Sequence, residues 1–221
     1  ITMNAGVLGS TDLFPVDIPA EAVALAGGMK LDELRNRGDR GLAMRIMAQG
    51  ARRLTVNLFQ EGKLDGIIGM GGGGGTSIVC TAMQGLPVGI PKICVTTLAS
   101  GDTSPYVSTK DIVLFPSIVD ICGINRFSRM ILSKAAGAVC GMVKQEAAPS
   151  ESDRPLIFIS MFGNSTQCVE QCMNLLDKAG FDTMIFHATG TGGRAMEELV
   201  LQGYPVAVLD VTTTEWADEV G

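Results

Sequence analysis

A single histidine, His187, serves the whole of this 221-residue chain. Structural and catalytic zinc sites draw on clusters of histidine, cysteine and carboxylate. With one imidazole and no second cysteine pair beside Cys168 and Cys172, no metal centre is expected from these groups. Charge is sparse too: 18% of residues are Asp, Glu, Lys or Arg, and the formal net charge is −6. A broad surface for nucleic acid or an anionic membrane relies on many Lys and Arg, so neither partner is expected. The basic cluster Arg35, Arg37, Arg40, Arg45, Arg52 and Arg53 is interrupted by acids and reads as a solvated helix face. Apolar runs are short as well. The nearest to a bilayer span, residues 131–143, carries Ser133 and Lys134 and falls below the roughly 18 residues needed. No signal peptide is visible, and the six cysteines lack the spacing of a disulfide framework, which fits buried thiols in a reducing compartment. The expected location is cytoplasmic. The chain opens on Ile1 within an apolar segment, so the native N-terminus is expected to lie upstream.

Glycine and apolar residues are plentiful. Hydrophobic content of 46% implies a well-filled core, and there are 28 glycines. Five of these are consecutive, Gly71, Gly72, Gly73, Gly74 and Gly75. An apolar run ending at Met70 precedes them, and Thr76 and Ser77 lead into a helical apolar pattern. A glycine turn from strand to helix lets bare N–H groups approach a ligand closely, and the helix N-terminus favours an anion, most often phosphate. A flexible linker would have polar flanks, whereas both flanks here are core-like. Gly69, Gly71 and Gly74 satisfy G-x-G-x-x-G, a match that any glycine run makes easily. The strand that follows ends in hydroxyls instead of the acid that holds a dinucleotide ribose, and no Gly-Lys-Ser/Thr follows the glycines. A nucleotide is favoured over NAD.

Short apolar runs alternating with amphipathic ones predict an α/β fold of two Rossmann-like parallel-sheet units, the second cut short. Strands are expected at residues 1–7, 66–70, 92–97, 111–115, 156–161, 183–187 and 206–211. A helix over 39–61 is expected to bury Leu42, Ile46, Gly50, Leu54 and Leu58, with Asp39 and Gly62 as caps. A second, over 126–144, places Phe127, Met130, Ile131, Ala135, Ala138, Val139 and Met142 on one side. Its small residues suit packing on a sheet or on a symmetry mate. A third is expected near 167–179, and another starting at the chain end. Residues 148–153 read as a linker between an N-terminal nucleotide-binding domain (1–147) and the start of a second α/β domain (154–221).

In open α/β sheets ligands collect at the carboxyl ends of strands. Those ends are rich in hydroxyls and glycine: Ser100, Gly101, Asp102 and Thr103 in the first unit, then residues 162–166, 187–194 and 212–215 in the second. Candidate nucleotide-contacting residues are therefore the glycine run with Thr76, the 100–103 group, and His187, Thr189, Gly190, Thr191, Gly192, Gly193 and Arg194. The repetition makes a shared cleft between the units the expected site. His187 can act as a general acid or base, donate to a phosphate, or be tied to backbone at a strand end. Arg194 can face a phosphate or pair with Glu197 or Glu198. Asp102 can hold Mg²⁺ or a ribose, or simply form a turn. These three are the candidate catalytic groups.

Several longer stretches, taken together, resemble one family. They are Gly69-Met-Gly-Gly-Gly-Gly-Gly-Thr76, Leu86-Pro-Val-Gly-Ile-Pro-Lys92, Leu98-Ala-Ser-Gly-Asp-Thr-Ser-Pro-Tyr106, Asp120-Ile-Cys-Gly-Ile-Asn125, Phe186-His-Ala-Thr-Gly-Thr-Gly-Gly-Arg-Ala-Met-Glu197 and Leu209-Asp-Val-Thr-Thr-Thr-Glu215. The family is that of the tomato mosaic virus resistance protein and its largely uncharacterised bacterial and fungal relatives. The resemblance implies an ATP-binding domain and, in the plant member, inhibition of a viral replication protein by direct contact. It also implies chains running beyond both ends of this one. The family often has a serine among the glycines, where this chain has none. The expected function is ATP or nucleotide binding, with Mg²⁺ as the candidate accompanying ion, exerted through a protein partner, and the chain is expected to form a homo-oligomer, a dimer. The alternative is a phosphoryl-transfer, acyl-transfer or ligase-type enzyme acting on a small anionic metabolite.

Overall fold

The computed structural model describes residues 1–9, 14–145 and 154–213, divided between two compact units, residues 1–146 and 147–221. The first runs α1 (Ala20–Ala26), α2 (Leu31–Arg37), α3 (Arg40–Gln60), β1 (Ile67–Gly71), α4 (Gly73–Gln84), β2 (Lys92–Thr96), α5 (Ser104–Val107), β3 (Val113–Pro116) and α6 (Arg126–Lys144). Its sheet has the order β1-β2-β3, with both pairings parallel. The central strand β2 is buried at every residue, which is why it reads as an unbroken apolar run instead of an alternation. Cys94 packs with Cys80 and Met83 of α4. Ile93 and Val95 pack with Ala135 and Val139 of α6. The two helices therefore cover opposite faces of β2.

Asp39 caps α3 by accepting from Leu42 N at 2.9 Å, and Gly62 just beyond its end adopts φ 66°. The buried stripe of α3 differs from the expected one. Ala43, Met47, Ala48, Gly50, Ala51 and Thr55 are buried, while Leu42, Ile46, Leu54 and Leu58 are half-buried. Close packing on α1 selects the small residues: a Cβ on Gly50 would lie 1.9 Å from Val23 O. In α6, Ala135 and Val139 are buried as expected, but Phe127, Met130 and Met142 face outward, because the sheet beneath takes only one narrow edge of the helix.

Residues 1–7, expected as a strand, make only an isolated parallel bridge, Met3 to Ile18. Asn4 N donates to Ile18 O and Ile18 N to Thr2 O, so the segment is held by its own return loop and not by β1. The cysteines also depart from the expectation of burial: Cys80 and Cys94 are buried, Cys172 is half-buried, and Cys122, Cys140 and Cys168 are exposed.

The second unit runs β4 (Leu156–Met161), α7 (Thr166–Lys178), β5 (Asp182–His187), α8 (Thr191–Leu201) and β6 (Ala207–Asp210), with the parallel order β5-β4-β6. Ile157, Ile159 and Ile185 pack with Val169, Met173 and Leu176 of α7. The expected linker and the helix expected after residue 213 lie outside the described residues. Among the described residues no helix is long and apolar enough to cross a membrane.

The amino end of the first sheet is closed by a polar staple. The Lys92 side chain is fully buried, and its Nζ donates to Pro87 O (2.6 Å), Ile90 O (2.8 Å) and Asp111 Oδ1 (2.6 Å). Gly89 N donates to the other oxygen of Asp111 at 2.8 Å. Burial pulls the Lys92 pKa below its ordinary value against the pull of Asp111. Burial alone would raise the Asp111 pKa, but Lys92 and the Gly89 amide outweigh it and hold the carboxyl below its ordinary 3.8. A lowered carboxyl pKa contributes stability that is present above the ordinary value and lost as pH falls through the folded one. Asp111→Asn is expected to cost about 1–3 kcal/mol at neutral pH by leaving a buried charged donor poorly matched. In urea titrations the gap to the wild type should close at acid pH, where Asp111 is protonated.

Candidate functional site

At the carboxyl edge of the first sheet, β1 passes into α4 with one intervening residue, Gly72, as N-cap. The approach is close: a Cβ on Gly71 would stand 2.4 Å from the Gly75 Cα, so a side chain there would push the helix off the strand. The first-turn amides of a helix have no intrahelical acceptor. Here no side chain caps them, since the N-cap is glycine. Thr76 N already donates to Gly72 O at 2.8 Å, which limits the open amides to those preceding it.

The five glycines differ in what requires them. Gly71 is dictated by the helix itself. A Cβ on Gly74 would meet Met44 Sδ at 3.0 Å and lie 3.8 Å from an Arg40 guanidinium nitrogen. A Cβ on Gly72 would meet only Thr97 Oγ1 at 4.0 Å, and on Gly75 only Met70 O at 3.5 Å, while one on Gly73 would meet nothing within 4 Å. None of the five has a positive φ. Neither packing nor backbone conformation therefore accounts for glycine at 72, 73 and 75.

Thr76, expected beside the ligand, points inward. It is fully buried, donates to Gly71 O at 2.9 Å and shares a 2.6 Å hydrogen bond with the Thr96 hydroxyl. Thr96 Oγ1 also accepts from Leu98 N at 3.0 Å. The residue that reaches the outer surface of the turn is Thr97, which is exposed. Ser100, Gly101 and Asp102 are exposed on the loop after β2, and Thr103 is half-buried. Asp102 Oδ1 accepts from Ser104 N (3.0 Å) and Ser104 Oγ (2.7 Å), and the Ser104 bonds hold its carboxyl below the ordinary value. This is the geometry of a turn-forming aspartate that starts α5. Gln84 Nε2 donates to Pro105 O and Tyr106 O, tying α5 back to the end of α4.

Arg40, counted in the sequence with a solvated basic face, is the positive group beside the glycine turn. Its neighbours in that cluster behave differently: Arg35 Nε donates to Val7 O and Arg53 to Ala26 O, both as structural ties. The i, i+4 relation of Arg40 to Met44 was legible in the sequence, but the α3–α4 packing that brings both to Gly74 was not.

The remaining candidates lie in the second unit. His187 is exposed at the end of β5, its ring stacked on Phe162 at 5.6 Å and 22°. Gly190 has φ 79°, a conformation that favours glycine. A Cβ on Gly192 would stand 1.8 Å from His187 O, and Gly193 is buried. Arg194 Nε turns back to Gly190 O at 3.2 Å. Thr189 and Thr191 are exposed on the same loop. Among the described residues no cluster of His, Cys, Asp and Glu could hold a metal ion.

These features define an α/β protein of two Rossmann-like units with parallel sheets, the first carrying an open glycine turn at its carboxyl edge. The chain belongs to the UPF0261 family: residues 1–148 match the N-terminal domain of this uncharacterised protein family and residues 154–221 its C-terminal domain. It is 49% identical over 220 residues to a UPF0261 protein of Clostridium tetani, covering 100% of this chain and 54% of that protein. It is 47% identical over 186 residues to the ToMV resistance protein Tm-1 of Solanum lycopersicum, covering 82% of this chain and 25% of the tomato protein. The ToMV susceptible protein tm-1 of the same plant matches equally, 47% over 186 residues, with the same coverage of both chains. The chain thus spans about half the length of the bacterial relative and a quarter of the tomato ones.

Two substitutions separate the glycines that the fold requires from those it does not. Gly71→Ala is expected to destabilise the first unit, since its Cβ meets backbone. Gly73→Ala is expected to be neutral or to stabilise by up to about 1 kcal/mol, the ordinary advantage of alanine in a helix. Urea unfolding of both variants measures the contrast.

Proposed function

We propose that the protein binds ATP or a related nucleotide at the glycine turn of the first unit and acts through binding or regulation of a partner. The observation that carries this reading is Gly73: a helical position with open space around it holds a residue that costs helix stability, which is accounted for if a phosphate lies against the backbone there. The open amides up to Gly75 suit phosphate oxygens, and Arg40 supplies a positive charge at the same turn. Thr97 lies beside Gly72 for a further hydroxyl contact. Mg²⁺ accompanying the phosphates would meet Asp102 through Oδ2, because Oδ1 is engaged with Ser104. A role through binding also suits the name of the tomato relative, a virus resistance protein.

Self-association is part of the same proposal. The outward face of α6 carries Phe127, Met130 and Met142 with Gly137 and Gly141, where an added Cβ would meet nothing within 4 Å. Glycines in mid-helix allow a second helix to approach, and a dimer across this face would cover the exposed apolar groups. Light scattering at micromolar concentration is expected to give twice the chain mass; a monomer would remove the dimer from the proposal.

The nucleotide reading is tested by calorimetry with ATP, with and without Mg²⁺, on the wild type and on Gly73→Ala and Gly73→Val. The wild type is expected to bind, and both variants to fold while losing most of the affinity, since the added carbon occupies the phosphate position. Unchanged affinity in a folded Gly73→Val protein would sink the assignment.

A further inference from the structure

Two rows of backbone groups in the first unit are left without partners. In a parallel ladder, residues bonded to one neighbour alternate with residues turned to the other side. Ile67 N donates to Pro91 O, which assigns residues 67, 69 and 71 to β2 and turns Ile68 and Met70 outward. Thr2 and Asn4 are bonded to Ile18, so Met3 and Ala5 turn the opposite way. Their N–H and C=O groups have no partner among the described residues.

The space between these rows is a slot. A cavity of about 510 Å³ at the amino end of β1 and one of about 980 Å³ toward its carboxyl end both have Met3, Ala5, Ile68 and Gly69 in their walls. Thr55 and Leu58 of α3 with Ala82 of α4 line one side of the smaller cavity, and Val139 and Val143 of α6 line the other. Helices thus close both faces of the slot, while its two edges are unpaired backbone. Ile68 and Met70 are exposed, although β1 lies directly beside the fully buried β2. Backbone polar groups in such places are nearly always paired, and an open strand edge is a template for another strand. A small molecule would engage one or two of these groups. An extended chain engages both rows at once, at the spacing they already have.

We propose that the slot is a strand site, filled by an extended apolar segment of polypeptide outside residues 1–221 that pairs with β1 on one edge and with residues 1–7 on the other. A strand entering here has helices over both faces, so its side chains are apolar on both sides, as in β2. Main-chain hydrogen bonds to Ile68 and Met70 on one wall and to Met3 and Ala5 on the other supply the pairing. Alternate side chains, meeting α3 on one face and α6 on the other, supply the selectivity. A second copy of the chain is not the source, since each named strand of the first unit is already held in its own sheet. The Clostridium tetani relative has polypeptide to supply it, because the matched region is 54% of its length. Residues 1–7, a strand by composition, become one by pairing as well. The inference does not rest on nucleotide binding at the glycine turn.

The probes are overlapping synthetic peptides of about 20 residues, several times the length of a strand. They cover the unmatched part of the Clostridium tetani relative and are added singly to the 221-residue chain. Amide exchange is followed by NMR at Met3, Ala5, Ile68 and Met70, with Ile67 and Gly69 as amides protected throughout. One peptide, or two that overlap, is expected to slow exchange at all four by at least about a hundredfold. Ile68→Pro removes only an N–H turned away from β2, so it is expected to abolish this protection while the fold persists. Met3→Pro tests the opposite wall in the same way. Gly73→Ala should leave the protection unchanged, which separates failure here from failure at the glycine turn. Protection of Ile68 and Met70 alone would show a strand added to a single edge and overturn the two-sided slot. Protection without peptide that grows with protein concentration would make a second copy the occupant and overturn the proposal too, as would the absence of protection by every peptide.

Discussion

The contact between Gly71 and the Gly75 backbone is the constraint on which the first unit is arranged. Because β1 can pass almost directly into α4, the helix starts over the end of the strand instead of beyond a loop. That placement carries Thr76 beneath the turn, where its hydroxyl reaches both Gly71 O and Thr96. The helix that presents the open amides is thereby pinned to the central strand, and the central strand is buried on both faces. The turn is thus held from behind by buried hydrogen bonds, with open space beside Gly73 at its front. Preorganised donors of that sort need little rearrangement when an anion arrives.

Much of this architecture was legible in the sequence, for a definite physical reason. Short apolar runs marked β1, β2, β4 and β5, although only β2 and the middle of β4 are buried throughout, and Ile68, Met70 and Met184 stay exposed. The capping residues Asp39 and Gly62 marked the ends of α3 because their roles are local. What escaped depended on distant parts of the chain. Residues 1–7 have the composition of a strand, but the backbone bonds of Thr2 and Asn4 go to Ile18 and not to the sheet. The buried side of α3 is set by Ala43, Ala48 and Ala51, small residues that periodicity weighs less than leucine. Cys122, Cys140 and Cys168 sit in apolar surroundings in the sequence yet face outward in the fold. Thr76 and Thr97 are equally polar in the sequence; only the pleat and the helix turn decide that one is buried and the other exposed.

The two glycine-rich segments also show why glycine content alone does not identify a ligand site. In the second unit Gly190 answers to a positive φ and Gly192 to the nearby His187 carbonyl. Both are explained by the folding of the loop. In the first unit, Gly71 is explained in the same way, but Gly73 has neither reason. The distinction is invisible in the sequence, where both segments look like phosphate loops, and becomes visible once the space beside each Cα is known.

The parallel pairing of every strand among the described residues has a consequence for how the chain reaches this structure. No pair can form as a hairpin: Ile93 must find Val113, and Ile157 must find Ala207 across the whole of α7, β5 and α8. Each closure carries an entropic cost before any contact between the strands rewards it, which slows folding in topologies rich in distant contacts. The helix packing is no more local: Gly74 of α4 lies against Met44 of α3, further apart in sequence than Cys94 and Leu114 of β2 and β3. The strands of both units are then exposed for longer during synthesis than their buried places in the finished sheets suggest, and the last strand to arrive in each sheet sets the time at which its apolar edge is first protected.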